Sequence, residues 1–191
     1  MAKTTQIQQL NYNWEHGMRA KNEFGTKSGL ITKEQSKKIA LDAINWWFRV
    51  NDIRDYGFNI KFTYSNSRRT SAFASSSANC SFMQLHMPLW AREAGASVTL
   101  HEAAHTIVSM MNQENYVDNG HSDAFRQVFA NLIARFYKVR KRDVINSMKA
   151  AGLTVAWEMH LPRPTVAQAK AKAYGFGVTP LQNKVSKFPR S

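Results

Sequence analysis

Residues 97–112 read SVTLHEAAHTIVSMMN, and this stretch determines how the rest of the chain is interpreted. Its apolar residues recur at helical spacing and predict one helix with a continuous apolar stripe. The stripe consists of Leu100, Ala103, Ala104, Ile107, Val108 and Met111. Ser97 or Thr99 is the expected N-cap, because a short hydroxyl side chain can accept hydrogen bonds from the first free amides of a helix.

The same helix carries two histidines and a glutamate. His101 and His105 are four residues apart, so both imidazoles lie on one helix face and can reach a single metal ion at about 2.0–2.1 Å. Glu102 lies one step round the helix, where it can take a proton from a metal-activated water without binding the metal. The alternative is a helix whose polar residues simply face water. An HExxH pattern on a strong helical period favours the zinc site.

A catalytic zinc ion needs a third protein ligand and one open position. His121 is the best candidate, because it directly precedes a second predicted helix and the loop at 112–120 can fold back to present its ring. Asp118 and Asp123 are alternative oxygen donors near that loop and the helix start. We expect one zinc ion per chain.

Two further helices are predicted by their caps and periods. Thr32 and Gln35 have capping-box spacing and open a helix that ends near Asn51. Ser122 or Asp123 caps the helix that follows His121. The apolar stripe of that helix is Phe125, Val128, Phe129, Leu132, Ile133 and Phe136.

The region before the HExxH helix predicts a small β-sheet. Residues 58–64 alternate strictly between apolar and polar side chains, as in a half-buried strand. Further strands are expected around 71–74 and at 80–87, where Pro88 ends the last one. With the helices, these strands predict the α+β class.

The length of 191 residues fits one domain with tails. We divide the chain into an N-terminal arm or short docking segment at 1–28, a folded domain at 29–162 and a basic flexible tail at 163–191. The single cysteine, Cys80, excludes an intrachain disulfide or a cysteine zinc ribbon and fits a reducing compartment. No secretory signal or long apolar stretch is visible, so we expect a cytoplasmic protein with no membrane partner.

The net charge of +13 is unevenly distributed. Residues 138–191 hold eleven Lys and Arg against two acidic residues, a net charge of +9. Such an excess favours a polyanionic partner, most commonly nucleic acid, although it also suits a solvated tail. The candidate phosphate contacts are Lys138, Arg140, Lys141, Arg142, Arg68 and Arg69. The run VRKR at 139–142 also suits the end of a helix, where cations interact favourably with the helix dipole.

Other residues have simpler interpretations. Trp46 and Trp47 can stack on bases, but at helical spacing they are expected in the core. His86 is expected to be a strand residue without a chemical role. We expect His16 and His160 to be structural or exposed.

The order of these motifs resembles the SprT-like metallopeptidases, which include the Spartan proteases of DNA–protein crosslink repair. The shared order is helix, strand region, TLHEAAH, loop and GHSDAF at a helix start. In that family the third histidine lies in a Gly-His-Gly-x-x-aromatic motif. Gly120, His121 and Phe125 match it, whereas Ser122 replaces the second glycine. The resemblance covers about Thr32–Tyr137.

This resemblance implies a minimal zincin fold, with zinc held by His101, His105 and His121 and with Glu102 as the catalytic acid and base. Many members carry a C-terminal zinc ribbon with four cysteine ligands, which this chain cannot build. Any DNA contact must therefore use the basic tail or a surface patch.

Together, the motif and the resemblance predict a zinc-dependent endopeptidase that acts on DNA-associated proteins in the cytoplasm or at the nucleoid. The ribbon-free form would suit a phage or mobile-element protein, in which case the compartment is the host cytoplasm. One alternative is a protease that cleaves a regulator or repressor, as ImmA/IrrE-like proteins are thought to do. Another is a non-catalytic nucleic-acid-binding protein that retains a zinc site.

Overall fold

The structure is a computed structural model that describes residues 6–51, 59–76, 82–111 and 121–155. These residues form an α+β fold, the class that the sequence predicts. The helices are α1 (Gln6–Ala20), α2 (Lys33–Val50), α3 (Leu89–Glu93), α4 (Ala96–Met111), α5 (Asp123–Tyr137) and α6 (Lys141–Ala150), and the strands are β1 (Asn59–Ser65), β2 (Phe73–Ser76) and β3 (Phe82–Pro88). A short 3-10 helix follows α1 at Glu23–Gly25. Within the described ranges, no helix is both long enough and apolar enough to cross a membrane.

The sheet has the order β1-β3-β2, with β3 parallel to β1 and antiparallel to β2. In β3, Met83, Leu85 and Met87 are fully buried, while Gln84 and His86 lie on the opposite, more exposed face. The alternation predicted for the first strand is present in β1, whose Ile60 and Phe62 pack against the core. β2 begins two residues later than predicted.

Helix α4 lies at the centre of the fold and packs against α2, α5 and the sheet. The predicted apolar stripe is buried from Leu100 to Val108. The side chain of Met111 is not among those that the structure describes. The helix begins at Ala96, so Ser97 and Thr99 lie inside it and are completely buried. The capping prediction for these two residues is wrong. The hydroxyl of Thr99 instead lies 3.3 Å from that of Ser36 on α2.

Two predicted helix starts are confirmed. In the capping box, the Thr32 side chain accepts from the Gln35 amide at 3.1 Å, and the Thr32 amide donates to the Gln35 side chain at 2.8 Å. At α5, the Ser122 hydroxyl accepts from the Phe125 amide at 3.3 Å. These caps satisfy amides that have no partner inside a helix. The second cap is important for the site because it follows His121 directly.

The C-terminal end of α5 differs from the prediction. The helix stops at Tyr137, and Lys138 adopts a left-handed conformation with a φ of 56°. The run at 139–142 therefore does not end α5, and Arg140 is the N-cap of α6 instead. Phe136, which was predicted in the apolar stripe, is 42% exposed. The α6 helix packs on α5 and buries one apolar face, formed by Val144, Ile145 and Met148.

The N-terminal segment is a docked helix from residue 6 onward, which corresponds to the second of the two interpretations of residues 1–28. Trp14 and Met18 belong to the main core. The Trp14 indole donates to the Ser147 hydroxyl at 3.0 Å and packs edge-on against Phe129. The tail at 163–191 and the end of the 29–162 domain lie outside the described residues.

Candidate metal centre

Three histidines converge in the interior between α4 and the start of α5. The Nε2 atom of His101 lies 3.0 Å from Nε2 of His105 and 3.2 Å from Nε2 of His121. The three rings are between 2% and 8% exposed, and their potential ligand atoms all lie within 4.8 Å of one another. His101 and His105 are one turn apart on α4, so their rings lie side by side. His121 directly precedes Ser122, whose side chain caps the start of α5.

This arrangement fits a metal ion. Ligand atoms about 2.0–2.1 Å from a tetrahedral ion are separated from one another by about 3.3 Å, close to the two measured distances. At this range the facing ring nitrogens can share a proton in a hydrogen bond or bind one metal ion in common. Nitrogen ligands of this kind suit a divalent transition metal. The three histidines predicted from the sequence can therefore hold one metal ion together.

Phe125 forms an apolar wall behind the triad. Its ring stacks on His105 with a centroid distance of 4.2 Å, and it contacts His101 at 4.8 Å and His121 at 4.9 Å. The side chain is fully buried. A rigid apolar ring in contact with all three imidazoles limits their rotation and excludes water from that side of the site.

Glu15 on α1 is a residue of this site that the sequence analysis missed. One oxygen of its carboxylate lies 2.7 Å from Nδ1 of His101, and the other lies 3.6 Å from Nη1 of Arg19. The carboxylate is buried. A carboxylate that accepts from Nδ1 leaves Nε2 as the metal-binding atom and fixes the ring orientation.

Charge at the His101–Glu15 pair favours a cation in the site. Burial alone would lower the pKa of His101, but the charge and hydrogen bond of Glu15 hold it above its usual value. Burial likewise opposes ionisation of Glu15, yet the charge and hydrogen bond of His101 hold the pKa of Glu15 below its usual value, with help from Arg19. The same attraction acts on a metal ion at Nε2.

Arg126 on α5 fixes the position of the third histidine. Its guanidinium donates to the backbone carbonyl of His121 at 2.6 Å and also contacts the Asp123 carboxylate and the Thr154 carbonyl. The Asp123 carboxylate additionally accepts from the Thr154 hydroxyl at 2.9 Å. Asp123 is thus engaged away from the triad and is not its third ligand. The other alternative, Asp118, lies outside the described residues.

The Glu102 carboxyl is buried at the site and only partly hydrogen-bonded. It is 4% exposed, and its Oε2 atom has no hydrogen-bond partner among the described residues. Burial raises the pKa of Glu102 to about 7, although the charge of His101 and a hydrogen bond from the Ala74 amide oppose this. A carboxyl group with this pKa can both accept and release a proton near neutrality.

The six cations predicted to contact phosphate differ in their surroundings. Arg68 pairs with Glu93 at 2.7 Å, and Arg140 makes a two-pronged pair with Asp143 at 2.8 and 3.1 Å. The remaining four are wholly or partly exposed: Arg69, Lys138, Lys141 and Arg142. Two of the predicted contacts are therefore partly neutralised by a neighbouring carboxylate.

Three cationic side chains, Arg49, Arg135 and Lys138, line a cavity between α2 and α5. This cavity of about 490 Å³, which we call the basic groove, is lined by Trp46, Arg49, Leu132, Arg135, Phe136 and Lys138 among others. The acidic side chain in its lining, Asp42, pairs with Lys38 at 2.7 Å. The sequence analysis missed this groove because Arg49 and Arg135 are far apart in the chain. Lys138 is the predicted phosphate contact that lines it.

The other singled-out residues lie away from the triad. Trp47 is in the core as expected, whereas Trp46 is only partly buried and faces the basic groove. His86 lies on the outer face of the sheet, where its Nδ1 is 2.9 Å from the Thr63 hydroxyl. His16 is exposed, as predicted, and His160 lies outside the described residues.

Comparisons of the chain with protein-family models, with curated proteins and with solved structures find no match.

Proposed function

We propose that the protein is a zinc-dependent endopeptidase of the SprT-like kind, with a minimal zincin fold, acting on DNA-associated proteins in the cytoplasm. The observation that carries the proposal is the buried, unpartnered carboxylate oxygen of Glu102 beside three converging histidines. A purely structural metal site has no need of such a group. The order of α2, sheet, α4 and a histidine before α5 also agrees with what the resemblance implies.

Zinc is the metal that best matches the donor set. Three imidazole nitrogens leave one position open, which is the arrangement of a catalytic zinc site. Zinc in such a site supplies Lewis-acid activation of a water molecule and of a carbonyl oxygen. His101, His105 and His121 would hold the ion, and Glu15 and Arg126 would keep two of them in place.

Glu102 lies beside His101 on α4, where its carboxyl group can perform the proton transfers of peptide hydrolysis. It accepts a proton from the attacking water as the new carbon–oxygen bond forms. It then passes that proton to the leaving amine as the carbon–nitrogen bond breaks. The same carboxyl group takes up the proton and releases it, so the two steps need no second acid.

Strand β2 offers a way to align the substrate. It is an edge strand in the described sheet, and its Ala74 amide donates to Glu102. The edge of β2 that pairs with no other strand in the described sheet therefore borders Glu102. An extended peptide that pairs with this edge would bring its backbone carbonyls beside Glu102 and the triad.

Substitution of Glu102 by glutamine tests the proposal. Glu102→Gln keeps the shape of the side chain but cannot accept a proton, so cleavage of unfolded casein should fall by at least about a hundredfold with zinc content unchanged. The exposed Glu34→Gln serves as the matched control and should cleave at the parent rate. Parent-like cleavage by Glu102→Gln would exclude Glu102 as the base, and loss of zinc would make it a ligand.

The basic groove supports the nucleic-acid part of the proposal. Exposed cations beside aromatic rings suit a single-stranded nucleic acid, whose phosphates and bases they can contact. Reversal of Arg49, Arg135 and Lys138 to Glu should weaken binding of single-stranded DNA and flatten its salt dependence. Reversal of the exposed Lys21, Lys27 and Lys61 to Glu is the control, because it makes the same change in charge outside the lining of the groove.

The two alternatives predict different results in these assays. A protein that cleaves casein but does not bind DNA would favour a protease of the ImmA/IrrE type that acts on a regulator. A protein that binds zinc and DNA but cleaves nothing would favour the non-catalytic nucleic-acid-binding alternative.

A further inference from the structure

Tyr12 on α1 lies against the metal centre without belonging to the triad. Its ring meets the edge of His121 with a centroid distance of 5.2 Å and stacks beside His101 at 6.2 Å. It precedes Glu15 by three residues, so both side chains project from one face of α1. Tyr12 is only partly buried, so part of its side chain remains exposed.

The Tyr12 hydroxyl has an unused proton. Its oxygen accepts from the Gln8 side chain at 3.3 Å, and among the described residues the hydroxyl donates to no acceptor. Burial raises the pKa of Tyr12, and the charges of Glu15 and Glu102 raise it further against the opposing effect of Gln8. The hydroxyl is therefore protonated at neutral pH, and it lies within electrostatic reach of the Glu102 carboxyl.

Zinc would polarise the peptide carbonyl oxygen, but none of the side chains assigned so far offers that oxygen a hydrogen bond. When water attacks the peptide carbonyl, negative charge develops on the carbonyl oxygen, and a positioned hydrogen-bond donor stabilises it. Glu102 is engaged with the proton of the attacking water, and Glu15 with His101. Phe125, which lines the back of the triad, has no polar group.

We propose that Tyr12 is a second catalytic residue, whose hydroxyl donates a hydrogen bond to the oxyanion formed from the substrate carbonyl. This inference rests on the proposed peptidase function. Tyr12 keeps its proton throughout, so the proton transfers by Glu102 are unchanged. The carbon–oxygen bond forms and the carbon–nitrogen bond breaks as before, with the charge on the oxygen stabilised from the α1 side.

Tyr12→Phe separates this role from a purely structural one, because phenylalanine keeps the ring that packs on His101 and His121. We expect zinc content and melting temperature to stay at parent values, while kcat for casein-derived peptides falls about a hundredfold and KM changes little. Tyr64→Phe is the matched control, since the Tyr64 hydroxyl donates to the Lys33 carbonyl. It should have the parent kcat.

A binding measurement provides a readout that is independent of turnover. Dimethylphosphinate, a small tetrahedral anion, is titrated into the Co²⁺-loaded protein and followed by visible absorption. The Tyr12→Phe protein should bind it about tenfold more weakly than the parent, because a hydrogen bond to a charged group is lost. The Tyr64→Phe protein should bind it as the parent does.

Parent values for both kcat and phosphinate affinity in Tyr12→Phe would overturn the proposal, as would loss of metal from this variant, which would make Tyr12 structural. If the parent cleaves no peptide but Tyr12→Phe still weakens phosphinate binding, the peptidase function fails while the assignment of Tyr12 as the anion donor stands.

Discussion

Helices α4 and α1 both supply side chains to the metal centre, but only α4 is evident from the sequence. In α4 the apolar stripe and the HExxH pattern lie on one continuous period. In α1 the side chains are mostly polar, and its buried residues include Glu15 and Arg19 beside Trp14 and Met18. The comparison shows that ligand spacing is a local property of the sequence. Residues that orient the ligands come from distant segments and become visible only after folding.

The largest effect is expected where the ligands themselves are removed. Zinc sites bind with about 10–16 kcal/mol, so His105→Ala or His121→Ala should lower zinc affinity by about a thousandfold and leave the purified protein without stoichiometric metal. Elemental analysis measures this directly. Full occupancy in His121→Ala would remove that residue from the site and favour Asp118.

The success of the sequence analysis on α2, α4 and α5 has a physical reason. Caps and apolar periods act between residues less than two turns apart, so Thr32, Ser122 and the stripes of α4 and α5 are recognisable without tertiary structure. The third histidine of the candidate site, His121, could be identified for the same reason, because it adjoins a clear helix start.

The failures have the opposite cause. Ser97 and Thr99 look like caps, but tertiary packing buries both hydroxyls inside α4. The chain reverses at Lys138 through a left-handed conformation that local propensity disfavours for a lysine, so α6 was missed. Glu15 gave no signal, since a lone glutamate in a polar segment is ordinarily solvated.

The role of α1 in orienting a ligand is tested by Glu15→Gln. An amide cannot replace the charge of the carboxylate at His101 Nδ1, so zinc affinity should fall by about 10–100-fold while the fold is retained. Competition with a zinc chelator measures the affinity. His16→Gln changes the next residue, which is exposed, and should have the parent affinity. Equal affinities for the two variants would reduce α1 to a packing element.

A smaller effect is expected at Arg126. This residue holds the backbone of His121 at the start of α5, as Glu15 holds the ring of His101 on α4. Arg126→Met removes hydrogen bonds from a buried guanidinium to His121 and Thr154, so the free energy of unfolding should fall by about 2 kcal/mol. The Asp123 side chain is 44% exposed, so water can replace its lost partner. Urea unfolding of the zinc-saturated protein measures the change. Arg135→Met, an exposed position on the same helix, should stay within about 0.5 kcal/mol of the parent.

The smallest effect concerns how firmly α1 is docked. The Trp14 indole donates to Ser147 of α6, so a double-mutant cycle with Trp14→Phe and Ser147→Ala isolates a bond between two helices far apart in the chain. The coupling energy should be about 1 kcal/mol, typical of a neutral hydrogen bond, and the packing loss at Trp14 cancels in the cycle. Urea unfolding of the four proteins gives the value. If α1 were a loose arm, the coupling would be zero and Trp14→Phe would leave stability unchanged. Glu15 would then reach His101 only part of the time, and Glu15→Gln would lose its effect on zinc affinity as well.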